Sequence, residues 1–533
     1  MDHHCIYLPY KDTHSFSSLV NDYVAKDEKL NDFYAFSPDL EGISKAIEER
    51  KRYRVDRSSL ETVLQRQYAD IEMPGALKLK LIRLKDGSTF TICTAHQPNL
   101  LTGYLYFIYK IIHAIRLAHD LSKTFPDKHF VPLYYMGSED NDLDELGTFR
   151  YGGEKYIWDA DGQTGAVGRM NTQSLKKHLD ELFKRLGPPG DPAEQLKELL
   201  VKAYLEHATI GKATRYLVNE LFGSYGLIVI DPDDADLKRA FTDVMKDDLL
   251  SHTAGSMVSR QAENLSAHYK SQAYPRDINL FYLKDQLRER IERRGDTWQV
   301  LNTSISFSEQ ELLQELSDFP ERFSPNVILR GLFQETILPN IAFIGGGAEV
   351  AYWLQLKPAF EHYNVFYPVL LLRQSILWID KEADKLLEEL HLPFHDIFDG
   401  TDALVKNYLL RTAKDKLSID EEHNELEVIL EKLKLKAKHV DTTLEYSTNA
   451  VLKKINYQLD VLRKKMLRAE KKKEEVTVNR IERLKTMLFP NGGLQERVEN
   501  FMEYYPVYGK DFFKCLFEAI DPLKNEFLII VSK

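Results

Sequence analysis

The sequence predicts an α/β protein with a doubly wound parallel sheet, segments inserted between its strands, and a long α-helical coiled coil. From residue 88 to residue 372, strand-like segments alternate with segments of helical periodicity. This order favours parallel strands joined by right-handed crossover helices. Residues 381–488 contain a single proline, Pro393, and are rich in Leu, Lys and Glu, which is typical of long helices.

The elements can be predicted in chain order. Residues 1–80 are mostly helical, with periodic segments at 17–26 and 60–71. A β-branched strand over 88–94 precedes a helix in which apolar residues recur at helical spacing from Leu105 to Ala118. A second strand, at 130–136, completes a strand–helix–strand unit. Further strands are predicted at 227–230, 281–283, 341–344, 369–372 and 527–531.

Apolar residues from Leu426 to Ala469 recur at alternating steps of three and four, the pattern of a coiled-coil seam. A hairpin turn is predicted near residue 440, with Thr442 and Glu445 as a capping box. The seam, which includes Leu459, Leu462 and Met466, predicts a homodimer. The chain thus divides into a core at 1–380 with N-terminal helices and insertions, a coiled coil at 381–488 and a returning segment at 489–533.

Composition excludes several classes of protein. The chain of 533 residues carries 71 Lys and Arg against 82 Asp and Glu, a net charge of −11, which disfavours a nucleic-acid partner. No signal peptide or apolar run of membrane-spanning length is present, so no membrane partner is expected. Cys5, Cys93 and Cys515 lie far apart, which disfavours disulfides and a zinc site. We predict a soluble, reduced cytoplasmic protein with no metal site.

Polar and glycine-rich loops follow three of the predicted strands, at 95–103, 137–145 and 345–349. Parallel strands end at one edge of their sheet, where ligands of such folds bind, so we expect the three loops to form one pocket. The structural alternatives, in the order of the three loops, are a polar turn that caps a helix, an exposed acidic loop, and glycines that allow tight packing of a strand against a helix. The candidate catalytic residues are His96, Gln97, Glu139, Asp140, Asp142 and Glu349.

Two further segments, 372–375 and 488–497, flank the coiled coil at its ends. Arg497 would provide fixed positive charge for a phosphate, Gly492 a close backbone approach, and Trp378 a stacking plane. The alternatives are a core role for Trp378 and structural ion pairs for Arg373 and Arg497. The candidate nucleotide-binding residues are Ser375, Trp378, Asn491, Gly492 and Arg497.

Several strings in these segments resemble the cysteine ligase family of bacillithiol biosynthesis, BshC. They occur in the family's order from about residue 80 to the end of the chain, and together they are specific. The strings are Thr94-Ala-His-Gln97, Leu101-Thr-Gly103 to Lys110, Ser138-Glu-Asp140, Ile344-Gly-Gly346, Glu349 to Lys357, Arg373-Gln-Ser375, Leu488 to Gly492, and Leu494-Gln-Glu-Arg497.

The resemblance implies a Rossmann-like core and a coiled coil that supports a homodimer. It also implies a ligase that joins cysteine to the amine of glucosaminyl malate after ATP activates the cysteine carboxylate. ATP or ADP is the implied nucleotide, and Mg²⁺ is a further candidate cofactor. The candidate substrate-binding residues are Asn99, Thr102, Gly103, Ser138, Gly346, Tyr352 and Arg373.

Two other functions remain open from the sequence. One is a non-catalytic scaffold whose bound nucleotide is structural and whose coiled coil recruits partners. The other is a tRNA-acting relative of class I aminoacyl-tRNA synthetases, which the net charge of −11 disfavours.

Overall fold

The computed structural model describes residues 2–187, 190–270 and 273–533, with Lys414 and Asp415 described by their backbone alone. The chain forms two compact units. The larger unit comprises the residues up to Lys11, 15–377 and 494–530. The smaller unit comprises residues 12–14, 378–493 and 531–533.

The strands of the described residues are β1 (His3–Pro9), β2 (Thr89–His96), β3 (His129–Met136), β4 (Thr148–Tyr151), β5 (Glu154–Ile157), β6 (Ile228–Ile230), β7 (Leu280–Lys284), β8 (Leu287–Arg294), β9 (Thr297–Val300), β10 (Ser306–Ser308), β11 (Phe323–Pro325), β12 (Asn340–Gly345), β13 (Val369–Leu372), β14 (Ile376–Ile379) and β15 (Glu526–Ser532).

The helices of the described residues are α1 (Ser18–Val24), α2 (Leu40–Arg50), α3 (Arg57–Gln67), α4 (Gly75–Arg83), α5 (Leu105–Thr124), α6 (Leu143–Leu146), α7 (Leu175–Phe183), α8 (Asp191–Leu205), α9 (Ile210–Phe222), α10 (Ala235–Arg239), α11 (Thr242–Leu250), α12 (Thr253–Ser266), α13 (Glu309–Asp318), α14 (Val327–Ile337), α15 (Gly347–Trp353), α16 (Lys357–His362), α17 (Lys381–Leu390), α18 (Thr401–Thr412), α19 (Lys414–Leu417), α20 (Asp420–Val440), α21 (Leu444–Lys473), α22 (Glu475–Leu488), α23 (Tyr505–Tyr508) and α24 (Asp511–Ala519).

A five-stranded parallel sheet forms the centre of the larger unit, in the order β13-β12-β2-β3-β6. Strand β2 is buried from Thr89 to Thr94 because sheet neighbours flank it and helices α5 and α2 belong to the surrounding core. Along the chain, β3 and then β6 are added on one side of β2, and β12 and then β13 are added on its other side. The predicted doubly wound α/β fold is therefore confirmed.

The predicted strand at 281–283 was wrongly placed among the parallel strands. It belongs to β7, in a separate antiparallel sheet with the order β10-β9-β8-β7-β11. The physical reason is the short connection between Lys284 and Leu287, since two residues can join antiparallel strands whereas a parallel pair needs a long crossover.

The chain begins with β1, a strand that the helical prediction for residues 1–80 missed. It forms a three-stranded sheet in the order β1-β15-β14. The predicted closing strand at 527–531 is confirmed by β15, which lies between the other two. None of the seven residues of β1 is fully buried, so the strand lacks the alternation of apolar and polar residues that marks a half-buried strand.

The smaller unit is helical, and α20 and α21 form the hairpin predicted near residue 440. The predicted capping box is wrong, because no side-chain cap is present at the start of α21. Asp441 instead accepts hydrogen bonds from the Thr443 backbone N–H and hydroxyl, both at 2.8 Å. No helix within the described ranges is long and apolar enough to cross a bilayer.

A buried carboxyl beside the central sheet gives a prediction about stability. Burial raises the pKa of Glu335 from 4.5 to about 7. Its Oε1 accepts hydrogen bonds from Gln334 and Asn340, at 2.7 and 2.8 Å, and its Oε2 has no partner. Between pH 4.5 and pH 7 the folded protein therefore retains a proton that the unfolded chain has lost, and stability falls as the pH rises through that window.

We expect Glu335→Gln to remove this part of the pH dependence. Between pH 4.5 and pH 7, the unfolding free energy of the variant should rise relative to that of the wild type by about 3 kcal/mol. Above pH 7 the difference between the two proteins should stay constant. Urea unfolding across that range measures the difference, in which the contributions of other carboxyls such as Asp248 cancel. A constant difference would show that Glu335 is already ionised in the folded protein.

Candidate active site

The order in which strands are added to the central sheet reverses between β2 and β12. A cavity of about 400 Å³ lies at the carboxyl ends of these two parallel strands. Such a reversal leaves a crevice because the loops after the two strands lead to opposite sides. The cavity is lined by Ala95, His96, Gln97, Tyr106, Lys110, Tyr135, Gly137, Glu145, Val327, Arg330, Gly346, Gly347, Ala348, Glu349, Tyr352, Arg373 and Arg497. Loops that follow β2, β3 and β12 thus meet at one edge, as the sequence predicted.

His96 is the last residue of β2, and its imidazole is neutral. The ring packs against Tyr106 and Phe107 of α5, and its centroid lies 5.3 Å from that of Tyr106 and 5.4 Å from that of Phe107. Burial, reinforced by the nearby charges of Lys110 and Arg373, holds the pKa of His96 well below its ordinary value. Its Nε2 is buried without a hydrogen-bond partner.

Lys110 joins the end of β2 to the first turn of α15. It is 3% exposed, donates a hydrogen bond to the Ala95 carbonyl at 3.0 Å and forms an ion pair with Glu349. The same Glu349 carboxylate accepts a hydrogen bond from the Gly346 N–H at 2.7 Å. Burial lowers the pKa of Lys110, and the Glu349 charge opposes that effect. Glu349 is therefore engaged by the protein and fixes the edge of the cavity.

Asp140 is held by three side chains from different parts of the larger unit. Arg330 of α14 contacts both of its carboxylate oxygens, Arg288 of β8 lies 3.3 Å away, and the Gln97 amide donates at 2.6 Å. Burial alone would raise the pKa of Asp140, but the two guanidinium groups hold it below its ordinary value. A carboxylate held in this way is a poor proton acceptor, and it instead positions Gln97 and Arg330 at the cavity.

The other predicted residues of the acidic loop do not line the cavity. Glu139 forms an ion pair with the fully buried Lys238, and burial raises its pKa. The Ser138 hydroxyl donates to Asp231 at 2.5 Å. Asp142 is exposed and caps α6 by accepting from the Glu145 N–H at 3.3 Å.

Glu145, in the short helix α6, was not among the predicted site residues but lines the cavity. Glu145 is an exposed residue, but partial burial of its carboxyl raises the pKa, and the charges of Asp142 and Asp140 add to the effect. Among the described residues, no hydrogen bond or ion pair engages its carboxylate. It thus differs from Glu139, Asp140 and Glu349, which all have protein partners.

The predicted substrate-binding loop Asn99–Gly103 is a tightly held turn outside the cavity lining. Leu101, Thr102 and Gly103 all have positive φ, at 51°, 68° and 65°, a conformation that is strained for the first two. Asn500 stabilises the turn by donating to the carbonyls of Leu101 and Gly103, at 2.8 and 2.5 Å. The predicted residues Gly346 and Tyr352, by contrast, line the cavity.

Arg373 follows β13, lines the cavity and forms a buried bidentate pair with Glu496, with both distances 2.7 Å. Burial opposes the charged form, but Glu496 keeps the pKa of Arg373 above its ordinary value. Ser375 donates to the same carboxylate at 3.2 Å. This pair holds the segment in which Arg497 lies, and the Arg497 side chain has no ion-pair or hydrogen-bond partner among the described residues.

The predicted nucleotide-binding residues fall into different units. Ser375 and Arg497 belong to the larger unit, and only Arg497 lines the cavity. Trp378, Asn491 and Gly492 belong to the smaller unit. Trp378 is buried there, and Asn491 and Gly492 are exposed, with positive φ of 53° and 74°.

Arg330, Arg288, Lys110, Tyr106 and Glu145 are site residues that the sequence prediction did not name. Tyr106 and Lys110 could have been found, since their spacing of four places them on one face of the predicted helix after the first loop. Arg288 and Arg330 had no such signal, because they come from the antiparallel sheet and from α14. In the part of the chain that the structure describes, no group of three or more His, Cys, Asp or Glu could hold a metal ion.

Comparison with known proteins identifies the family. Residues 1–374 match the model for "Bacillithiol biosynthesis BshC, N-terminal Rossmann-like domain", and residues 376–532 match "Bacillithiol biosynthesis BshC, C-terminal coiled-coil domain". A curated relative from Flavobacterium johnsoniae, named "Putative cysteine ligase BshC", is 38% identical over 98% of this chain and 99% of its own. A relative of the same name from Cytophaga hutchinsonii is 36% identical over 96% of each chain.

Similarity to solved structures is weak. A crystal structure described as a "putative arginyl t-RNA synthetase" from Campylobacter jejuni covers 80% of this chain and 98% of its own, with 11% identity and a TM-score of 0.24. Values this low support no inference about fold or function. The identification depends on the two family models and the curated relatives, and by them the chain belongs to the BshC family of bacillithiol biosynthesis.

Proposed function

We propose that this protein is an ATP-dependent ligase that joins the carboxyl group of cysteine to the amine of glucosaminyl malate. The name of its relatives supports a cysteine ligase. The observation that best supports the reaction is the cavity at the sheet reversal, where cationic and amide donors surround a neutral histidine.

The chemistry of amide formation matches these groups. The carbonyl oxygen of the activated carboxyl becomes negative when the amine attacks, and preorganised donors stabilise that charge best where water is excluded. The Gln97 amide and the Arg330 guanidinium, both anchored on Asp140, are such donors. His96 remains uncharged beside them, and its ring forms part of the cavity wall.

The proposal is tested by incubating the purified protein with ATP, cysteine and glucosaminyl malate and analysing products by mass spectrometry. The expected product is the amide, formed only when all three are present. Tight nucleotide binding without any amide would instead support a non-catalytic scaffold. Salt-sensitive binding of RNA, with no amide product, would support a tRNA-acting protein.

We also propose that the phosphates of ATP contact Arg497. This side chain is exposed, is unpartnered among the described residues, and directly follows Glu496 of the Arg373–Glu496 pair. Ser375 fits this role less well, since its hydroxyl already donates to Glu496. Mg²⁺ would accompany the phosphates, as is common for ATP-dependent enzymes.

We expect Arg497→Ala to weaken ATP binding at least tenfold, which corresponds to about 1.4 kcal/mol. The reason is the loss of a charge-assisted contact to phosphate in a partly enclosed cavity. Isothermal titration calorimetry provides the measurement, and Arg260→Ala, which removes an exposed arginine of α12, is the matched control. Equal affinity of Arg497→Ala and wild type would place the nucleotide elsewhere.

A further inference from the structure

The proposed reaction needs a group that takes a proton from the attacking amine. An amine becomes positively charged when its nitrogen bonds to a carbonyl carbon, and the product amide is neutral, so one proton must leave. The group must lie at the cavity, bear negative charge and be free of protein partners. The candidates are the acidic side chains near the carboxyl ends of β2, β3 and β12.

Most carboxylates near this edge are already engaged. Asp140 is bound by Arg330, Arg288 and Gln97, and Glu349 by Lys110 and the Gly346 N–H. Glu139 faces the buried Lys238 and lies outside the cavity lining. Glu496, in the pair with Arg373, is fully buried. Each of these would have to give up a strong contact before it could accept a proton.

Glu145 meets every requirement. It lines the cavity together with His96, whose buried Nε2 is likewise without a partner. Tyr106 lies near both: its ring is 5.3 Å from that of His96, and after burial the Glu145 charge is the leading cause of its raised pKa. Because its pKa is raised, the Glu145 carboxylate accepts a proton more readily than the carboxylate of an ordinary surface glutamate.

We infer that Glu145 binds the amine of the acceptor substrate and accepts its proton during ligation. This inference depends on the proposed function. The nitrogen lone pair attacks the activated carbonyl carbon and forms the C–N bond, while the bond from that carbon to the phosphate oxygen breaks. The phosphate-containing group leaves with the bonding electrons, and the proton on nitrogen passes to the Glu145 carboxylate and then to solvent.

The first test compares Glu145→Gln with Asp144→Asn, which removes the same charge from the neighbouring exposed residue of α6. Activation of the cysteine carboxyl is measured by isotope exchange between ATP and the group that ATP releases. This assay contains cysteine but no glucosaminyl malate. We expect Glu145→Gln to retain this exchange within twofold and to form amide at least about fiftyfold more slowly. Calorimetry without ATP should show at least fivefold weaker binding of glucosaminyl malate. Asp144→Asn should match wild type in all three measurements.

The second test is chemical rescue of Glu145→Ala by formate, which fits the space left by the missing carboxylate. Amide formation should recover at least tenfold with formate and not at all with chloride at equal ionic strength, a response that a merely structural residue would not give. Thermal unfolding should show all variants folded, because the Glu145 side chain has no described partner to lose.

The possible outcomes separate the two claims. Normal amide formation by Glu145→Gln, equal losses in Glu145→Gln and Asp144→Asn, or no rescue by formate would each overturn the role of Glu145 alone. Absence of both isotope exchange and amide product in the wild type would overturn the proposed function, and the inference with it.

Discussion

Replacing Asp140 by asparagine is expected to reduce amide formation at least a hundredfold while leaving the protein folded. The carboxylate accepts hydrogen bonds from Gln97 and Arg330 and balances the charge of Arg288. An asparagine oxygen can keep only part of these contacts, and the two guanidinium groups would lose their counter-charge. Displacement of positioned groups by about 1 Å is enough to reduce rates a hundredfold.

Two variants separate this effect from a loss of stability. Arg330→Lys keeps the positive charge but not the two-pronged contact, and it should also slow amide formation strongly. Glu315→Gln disturbs a comparable partly buried carboxylate, which Arg322 and the Tyr282 hydroxyl contact outside the cavity lining. It should lower the melting temperature without changing the rate. If Asp140→Asn kept more than half of the wild-type rate, Asp140 would have no role in the reaction.

The sequence was a good guide to the central sheet for a physical reason. Strands β2, β3, β12 and β13 are buried on both faces, so each is a continuous apolar or β-branched run between polar loops. The strand ends and the loops after them contain His96, Gln97 and Gly346, which the structure brings to one cavity. The antiparallel sheet was harder to predict, because the exposed positions of β8 are occupied by charged side chains that hide its strand pattern.

The sequence was a poorer guide to the carboxylates of the site. The acidic loop at 137–145 contains several, and sequence spacing cannot show which ones have partners. Glu139 meets a lysine from residue 238, and Asp140 meets arginines from residues 288 and 330, so their partners come from separate inserted segments. Glu145 became distinguishable only by the absence of such a partner. Burial and partner identity are properties of the tertiary structure, and they decide which carboxylate can accept a proton.

The coiled-coil hairpin leaves an apolar stripe on one face of α21. Leu444, Val451 and Leu462 share this face because they are spaced at 7 and 11 residues, close to whole numbers of helical turns. Val451 is 50% exposed and Leu462 is 47% exposed, whereas Leu459, of the predicted seam, is half-buried. We propose that a second copy of this chain covers the stripe, because a sustained apolar seam on a helix is typical of helix–helix association.

We therefore expect light scattering at micromolar concentration to give twice the 61.9 kDa chain mass for the wild type. The double variant Val451→Glu and Leu462→Glu should give the mass of one chain. Two carboxylates placed in an apolar contact would lose hydration without gaining partners, and this loss would weaken the association strongly. The control is the double variant Lys453→Glu and Lys464→Glu. It adds two glutamates to the same helix about half a turn from Leu462, on the opposite face, and should remain dimeric. A dimeric Val451→Glu and Leu462→Glu variant would show that copies of the chain associate through another surface, and a monomeric wild type would show that they do not associate at this concentration.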